Sequence, residues 1–235
     1  MGKAAASGLG AIGLLMAASG CSGGNGGDSG GDVPFSRLAA GYAAVLCHKD
    51  VVCCDDSELG SNLGPNPDRA ALEATCRPNF ANAMAVYLEP YAPLISAGRI
   101  IYRGDHARLC LDEIAAQPCE EWGLNYPLDR YPACRQIYEG TIALGGACTL
   151  SDECVDGYCS SSSGTGTCVA YKQIGESCSS GPCPPELLCL PDASGASKVC
   201  APPLPDGATC DLDSKCASGF CMANVCGPPT FCNGF

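Results

Sequence analysis

Apolar positions recur at helical spacing through the first half of the chain and then stop. Phe35, Leu38, Ala39, Tyr42, Val45 and Leu46 return every three or four residues, which predicts a helix opening at Pro34. A second helix fits residues 67–76, with Pro67 suited to the first turn and Pro78 as its stop. Phe80, Met84, Tyr87 and Leu88 predict a third, ended by Pro90. Ile100, Ile101 and Tyr102 read as a brief extended piece. Asp105 is the expected N-cap of a fourth helix carrying Leu109, Cys110, Leu111, Ile114 and Ala115 on one side. Residues 34–140 therefore read as a small, mainly helical domain whose modest apolar core needs disulfides to supplement it.

From residue 145 onward the helical period is gone, and Gly, Ser, Pro and Cys dominate. The cysteines themselves repeat. Cys148, Cys154, Cys159 and Cys168 form one set, Cys178, Cys183, Cys189 and Cys200 a second, and Cys210, Cys216, Cys221 and Cys226 a third. Each opens on G-x-x-C, from Gly145, Gly175 and Gly207. Sets one and three share C-x-x-G-aromatic-C, ending Gly157-Tyr158-Cys159 and Gly219-Phe220-Cys221. Set two has Cys183-Pro184-Pro185-Glu186-Leu187-Leu188-Cys189 instead. Three units follow, at 145–168, 175–200 and 207–226, each too small to hold a core without two bridges. The expected fold class is a mainly helical domain followed by loop-dominated, disulfide-rich repeats over 145–232, with little regular structure beyond short β-hairpins.

Composition moves the chain out of a reducing compartment. It holds 21 cysteines in 235 residues, a density typical of disulfide scaffolds in oxidising surroundings. Structural zinc fits less well, because no C-x-x-C occurs and His48 and His106 are the only histidines. No metal or cofactor is expected. The net charge of −12 opposes nucleic acid and anionic lipid heads as partners, and the scattered acids read as solubility.

Parity adds a long-range constraint. The three sets use twelve cysteines and leave Cys232 over. The helical domain has seven: Cys47, Cys53, Cys54, Cys76, Cys110, Cys119 and Cys134. An odd number cannot close internally, so a bridge from Cys232 back to this domain is expected. A free thiol in each part or an intermolecular bridge is the alternative. The adjacent Cys53 and Cys54 are expected to bond different partners, because a vicinal bridge is strained.

The N-terminal segment has its own pattern. After Lys3, a short run rich in Ala and Gly ends in Leu14-Leu15-Met16-Ala17-Ala18-Ser19-Gly20-Cys21. It reads as a secretory signal over 1–20, too short for a span of ~20 residues. Removing it takes Lys3 and leaves a charge of −13. Residues 21–33 are Gly-rich and act as a tether spanning ~20 Å on average.

Two resemblances follow from these residues. Ala18-Ser19-Gly20-Cys21 resembles the lipobox of bacterial lipoproteins, with Ala18 where Leu is more usual. The resemblance implies a diacylglyceryl group on Cys21 and monotopic attachment to the outer membrane or cell surface; an ordinary signal and secretion is the alternative. The run from Gly145 through Cys148, Asp152-Glu153-Cys154, Gly157-Tyr158-Cys159 and Cys168 resembles the Dickkopf N-terminal cysteine-rich domain, and Gly207 to Cys226 repeats it. With Cys134-Arg135-Gln136-Ile137-Tyr138-Glu139-Gly140 leading into the repeats, the whole chain is similar to bacterial cysteine-rich lipoproteins. The scaffold is what carries over; the animal family's antagonism of Wnt signalling is not implied.

Candidate chemistry is sparse. His48 and His106 sit in no nucleophile elbow or H-E-x-x-H motif and read as surface or helix-end residues. Glu120-Glu121-Trp122 is the one acidic pair beside an aromatic able to stack on a sugar; a solvated turn is the plainer reading. Asp152, Glu153 and Asp156, with Asp211 and Asp213 in set three, offer oxygens without an EF-hand pattern. The expectation is a non-enzymatic binding or structural surface protein whose partner is an extracellular protein or polysaccharide. A protease inhibitor presenting residues 180–185 is the second reading, and an extracellular hydrolase the least favoured.

Overall fold

A computed structural model of the chain describes residues 31–56, 59, 67–122, 128, 131–161, 164–192 and 194–228. The first helix, α1 (Phe35–Cys53), runs past its apolar stripe and ends where Cys54 turns extended. It buries Leu38, Tyr42, Cys47 and Val51 and packs on the next two long helices.

The second helix, α2 (Arg69–Leu88), corrects the sequence reading. Residues 67–76 and 80–88 are not two helices: Pro78 lies inside one. Proline removes one rung and crowds the carbonyl four residues back. Here its surroundings hold the helix on both sides. The Cys47–Cys76 bridge ties it to α1 just before Pro78, and Leu72, Phe80 and Met84 pack on the core before and after it. Pro78 itself is exposed. The N-cap is Asp68, whose side chain accepts from Ala71 N at 3.1 Å, so Pro67 precedes the helix. Tyr87 is exposed and does not join the core.

A short helix the periodicity did not indicate, α3 (Tyr91–Ser96), follows Pro90. The extended piece at Ile100–Tyr102 is a strand, β1. The last helix, α4 (Gly104–Ala116), starts one residue before Asp105, which sits in its first turn while Arg103 takes the cap position. Its buried face is Ala107, Cys110, Leu111 and Ile114, at i, i+3, i+4 and i+7. Leu109 and Ala115 point away from it. Cys110–Cys134 and Cys53–Cys119 close this part.

The chain then returns as β2 (Tyr138–Gly140), antiparallel to β1 with Tyr102 opposite Tyr138 and Ile100 opposite Gly140. A row of rings follows the pair. Phe35 meets Tyr102 edge-on at 5.3 Å, and Tyr138 stacks on Tyr91 at 4.4 Å.

The C-terminal half is built of short antiparallel strand pairs and disulfides. In the first unit β3 (Ala147–Cys148), β4 (Gly157–Cys159) and β5 (Gly166–Ala170) form a three-stranded sheet with β5 central. The second unit has the hairpin β6 (Leu188–Pro191) with β7 (Lys198–Ala201), and the third has β8 (Cys221–Met222) with β9 (Val225–Cys226). In each, the first cysteine bonds the third and the second bonds the fourth: Cys148–Cys159 and Cys154–Cys168, Cys178–Cys189 and Cys183–Cys200, Cys210–Cys221 and Cys216–Cys226. The 1–3 bridge spans eleven residues in all three units, including the second, whose internal motif differs.

The opening glycines explain the G-x-x-C repeat. Gly145, Gly175 and Gly207 all hold φ between +81° and +88°, a region open to glycine at little cost. Each donates its N–H to the carbonyl of the unit's fourth cysteine, at 2.7–2.8 Å, so every unit closes head to tail.

The first unit is fixed to the helical part. Ile142 N donates to Glu153 O and Val155 N to Ile142 O, and Gly140 passes so close that a Cβ would lie 2.6 Å from Cys154 O. Glu153 is fully buried there. It accepts from Thr149 N, Thr149 Oγ1 and Leu150 N at 2.6–2.7 Å and pairs with Arg99. Burial alone would raise this carboxyl, but the hydrogen bonds from Thr149, Leu150 and Arg99 outweigh it and hold it at about 2. Because its ordinary value is 4.5, its stabilisation is present above that pH and is lost as pH falls towards 2. Glu153→Gln is expected to cost about 1–3 kcal/mol at neutral pH and to flatten the acid limb of a urea-unfolding series. An unchanged acid limb in the variant would disprove the assignment.

Candidate functional site

The best-defined polar cluster joins the end of α1 to the segment after Cys119. Lys49 and Asp50 are both buried on the last turns of α1. The Cys53–Cys119 bridge brings residues 119–122 against them. Cys119–Glu121 form a single 3-10 turn, with Glu120 and Glu121 exposed, and Trp122 turns inward to 3 % exposure. Its indole Nε1 donates to Asp50 Oδ1 at 2.9 Å. The Lys49 ammonium lies 5.5 Å over the indole ring and donates to Gln117 O. Gln117 in turn accepts from the Tyr131 hydroxyl.

This geometry overturns Trp122 as a sugar platform. The ring face that would stack on a sugar is covered by Lys49 and the core. The adjacent acids Glu120 and Glu121 stay exposed. Burial pushes Asp50 up to about 6, against the Trp122 hydrogen bond, and lowers Lys49.

The other sequence candidates are also bound up in structure. His48 lies on the exposed side of α1, with Nδ1 3.3 Å from Glu73 Oε1. His106 Nε2 is 3.8 Å from Asp105 Oδ2, and its Nδ1 is buried with no hydrogen-bond partner among the described residues. The cluster Asp152, Glu153, Asp156 does not converge on a cation. Asp152 Oδ2 accepts from the Tyr91 hydroxyl at 2.7 Å and Glu153 is paired with Arg99. In the third unit Asp213 Oδ1 accepts from Cys221 N at 2.7 Å, as Ser151 Oγ accepts from Cys159 N in the first. Asp211 pairs with Lys215.

Among the described residues, the groups close enough to hold a metal are three cysteine triads, one per repeat. Every sulfur in them belongs to a disulfide, and a metal ligand must be a thiolate. Of the helical cysteines, six pair with one another, and Cys54 is disulfide-bonded too. Cys21 and Cys232, with the lipidation and the long-range bridge expected of them, lie outside the described residues. In the 180–185 segment Ser180 and Pro182 are exposed, while Pro182 O accepts from Lys172 N at 3.0 Å and anchors the loop to the end of the first unit.

Two arrangements were not legible beforehand: Arg99–Glu153 and Lys49–Trp122–Asp50. Each joins residues more than fifty positions apart, and local spacing carries no signal for such pairs. Comparison of the chain with protein-family models, curated proteins and solved structures returns no match.

The Asp50 environment gives a signed pH dependence. The native carboxyl titrates at about 6 against an ordinary 3.8, so the native state holds its proton more tightly than the unfolded chain. This contribution is full below about 4 and is lost as pH rises through 6. Asp50→Asn keeps an acceptor for Trp122 and should remove the pH slope between about 4 and 6. Unfolding followed by emission of Trp122, the single tryptophan, reads this directly. An identical slope in the variant would refute it.

Proposed function

We propose that the chain is an exported, lipid-anchored surface protein that acts as a non-enzymatic binding or structural module. The observation that carries this reading is one two-bridge unit built three times with the same pairing. Repetition of a stapled scaffold multiplies loop-covered surface, whereas catalysis needs one convergent site. The nine described bridges also call for an oxidising compartment. The Leu14–Cys21 pattern supports a lipid on Cys21 as the link to the cell envelope. No helix among the described residues is long and apolar enough to cross a membrane. The proposed partner is an extracellular protein or polysaccharide. The second unit offers an open groove of about 700 Å³, bounded by Ser177, Ser179, Ser197 and Lys198, whose hydroxyls suit polar ligands.

Intact mass of membrane-extracted protein, with and without reduction, is the test. A chain beginning at Cys21 with added acyl mass and no free thiol is expected; an unlipidated mass would overturn the anchor. Parity makes Cys54 the helical end of the bridge expected from Cys232. Peptide mapping without reduction is then expected to recover Cys54 and Cys232 in one linked species. Recovery of Cys232 as a free thiol would rule that bridge out.

A further inference from the structure

The three repeats share one pairing but not one degree of burial. The bridge from first to third cysteine is Cys148–Cys159, Cys178–Cys189 and Cys210–Cys221 in turn. In the first unit both of its cysteines are buried, and in the third Cys210 is. In the second, Cys189 is exposed and Cys178 only half-buried. The first unit closes backbone over its bridge: a Cβ on Gly166 would lie 2.8 Å from Cys159 Sγ. In the second unit Leu188 stands where Tyr158 and Phe220 precede the third cysteine in the others. Cys178 and Cys189 there line the open groove of about 700 Å³. Among the described residues, neither belongs to a hydrophobic cluster. Lys198 is the charged residue on the groove wall. The acids nearest in sequence are engaged elsewhere: Glu176 accepts from Gln173 N, and Asp192 accepts from Ser194 and Ser197. Among the described pairs, one other has an exposed cysteine, Cys53–Cys119. There Cys53 packs on the helical core, and the exposed Glu120 and Glu121 follow Cys119 directly, so an incoming thiolate meets carboxylates.

We propose that the Cys178–Cys189 bridge is a modification site, at which a small-molecule thiol exchanges with the disulfide. The incoming thiol loses its proton, and its thiolate attacks Cys189 Sγ. The Cys178–Cys189 bond breaks, Cys178 leaves as a thiolate and takes up a proton, and Cys189 carries the thiol as a mixed disulfide. A second equivalent of the same thiol can attack the outer sulfur, freeing Cys189 as a thiol and leaving as the small-molecule disulfide. The small thiol is therefore the only reductant required. Access to the attacked sulfur sets the rate, and it is the open groove that separates this bridge from its two counterparts. The unit outlasts the exchange. The Cys183–Cys200 bridge, with Cys200 fully buried, remains, as do the β6–β7 ladder and the bond from Gly175 N to Cys200 O.

Glutathione in excess is the probe, incubated with the full oxidised chain. Aliquots are quenched with N-ethylmaleimide and mapped by peptide mass. Glutathionyl mass on Cys189 with maleimide on Cys178 is expected before any other cysteine reacts, at least about threefold faster than opening of Cys53–Cys119. Far-UV circular dichroism should be unchanged at that stage. The double variant Cys178→Ser, Cys189→Ser should lose the early adduct and leave the rate at Cys53–Cys119 as it was. First opening at Cys53–Cys119 or at any other bridge, an adduct on Cys178 in place of Cys189, or no adduct at all would each overturn the proposal.

Discussion

Among the described residues, the hydrophobic core of the first repeat is Cys148, Cys154, Cys159 and Cys168, with Ile142 packed against it. In the third, Cys210, Cys216 and Cys226 play the same part, beside Leu204 and Cys221. In these units the disulfides are the core. Each bridge closes a loop of ten to seventeen residues, which constrains the unfolded chain by roughly 3 kcal/mol. Two such bridges per unit do what a layer of Leu and Val does in a larger domain. The strands can therefore be two to five residues long, and the loops between them are free to vary in sequence. The second unit shows that freedom. It replaces the C-x-x-G-aromatic-C motif with a proline-rich run and still places its cysteines in the same pairing.

The helical part is organised differently, and the junction between the two systems rests on one buried carboxylate. Glu153 belongs to the first repeat by sequence and to the junction by contact. Arg99 reaches it from just before β1, Ile142 runs alongside its backbone, and Tyr91 holds the neighbouring Asp152. An unpaired buried carboxylate would be costly. Three donors from Thr149 and Leu150 and the Arg99 guanidinium together satisfy it. The third repeat has Lys215 at the corresponding place, paired with Asp211 of the same unit. The same local backbone, with Leu204 beside Lys215 as Ile142 is beside Glu153, thus serves a junction in one unit and a self-contained turn in another.

Much of what looks like chemistry in the sequence is consumed by this architecture. Trp122 is a core residue holding Asp50, Asp152 is a hydrogen-bond acceptor for Tyr91, and the cysteine triads are closed bridges. Among the described residues, the repeat loops stay exposed.

The sequence by itself determined the division of the chain into a helical half and a half of short strand pairs, because hydrophobic periodicity and cysteine spacing are local properties. It also located α1 and α4, whose apolar positions recur at helical spacing, and β1, a run of three consecutive apolar residues. It did not determine that α2 continues through Pro78. The cost of that proline is local, while what offsets it, the Cys47–Cys76 bridge and the packing of Leu72, Phe80 and Met84, comes from tertiary contact. The same holds for α3, for the inward turn of Trp122 and for the burial of Glu153. Each is decided by a partner far away in the chain, and only folding brings the two together.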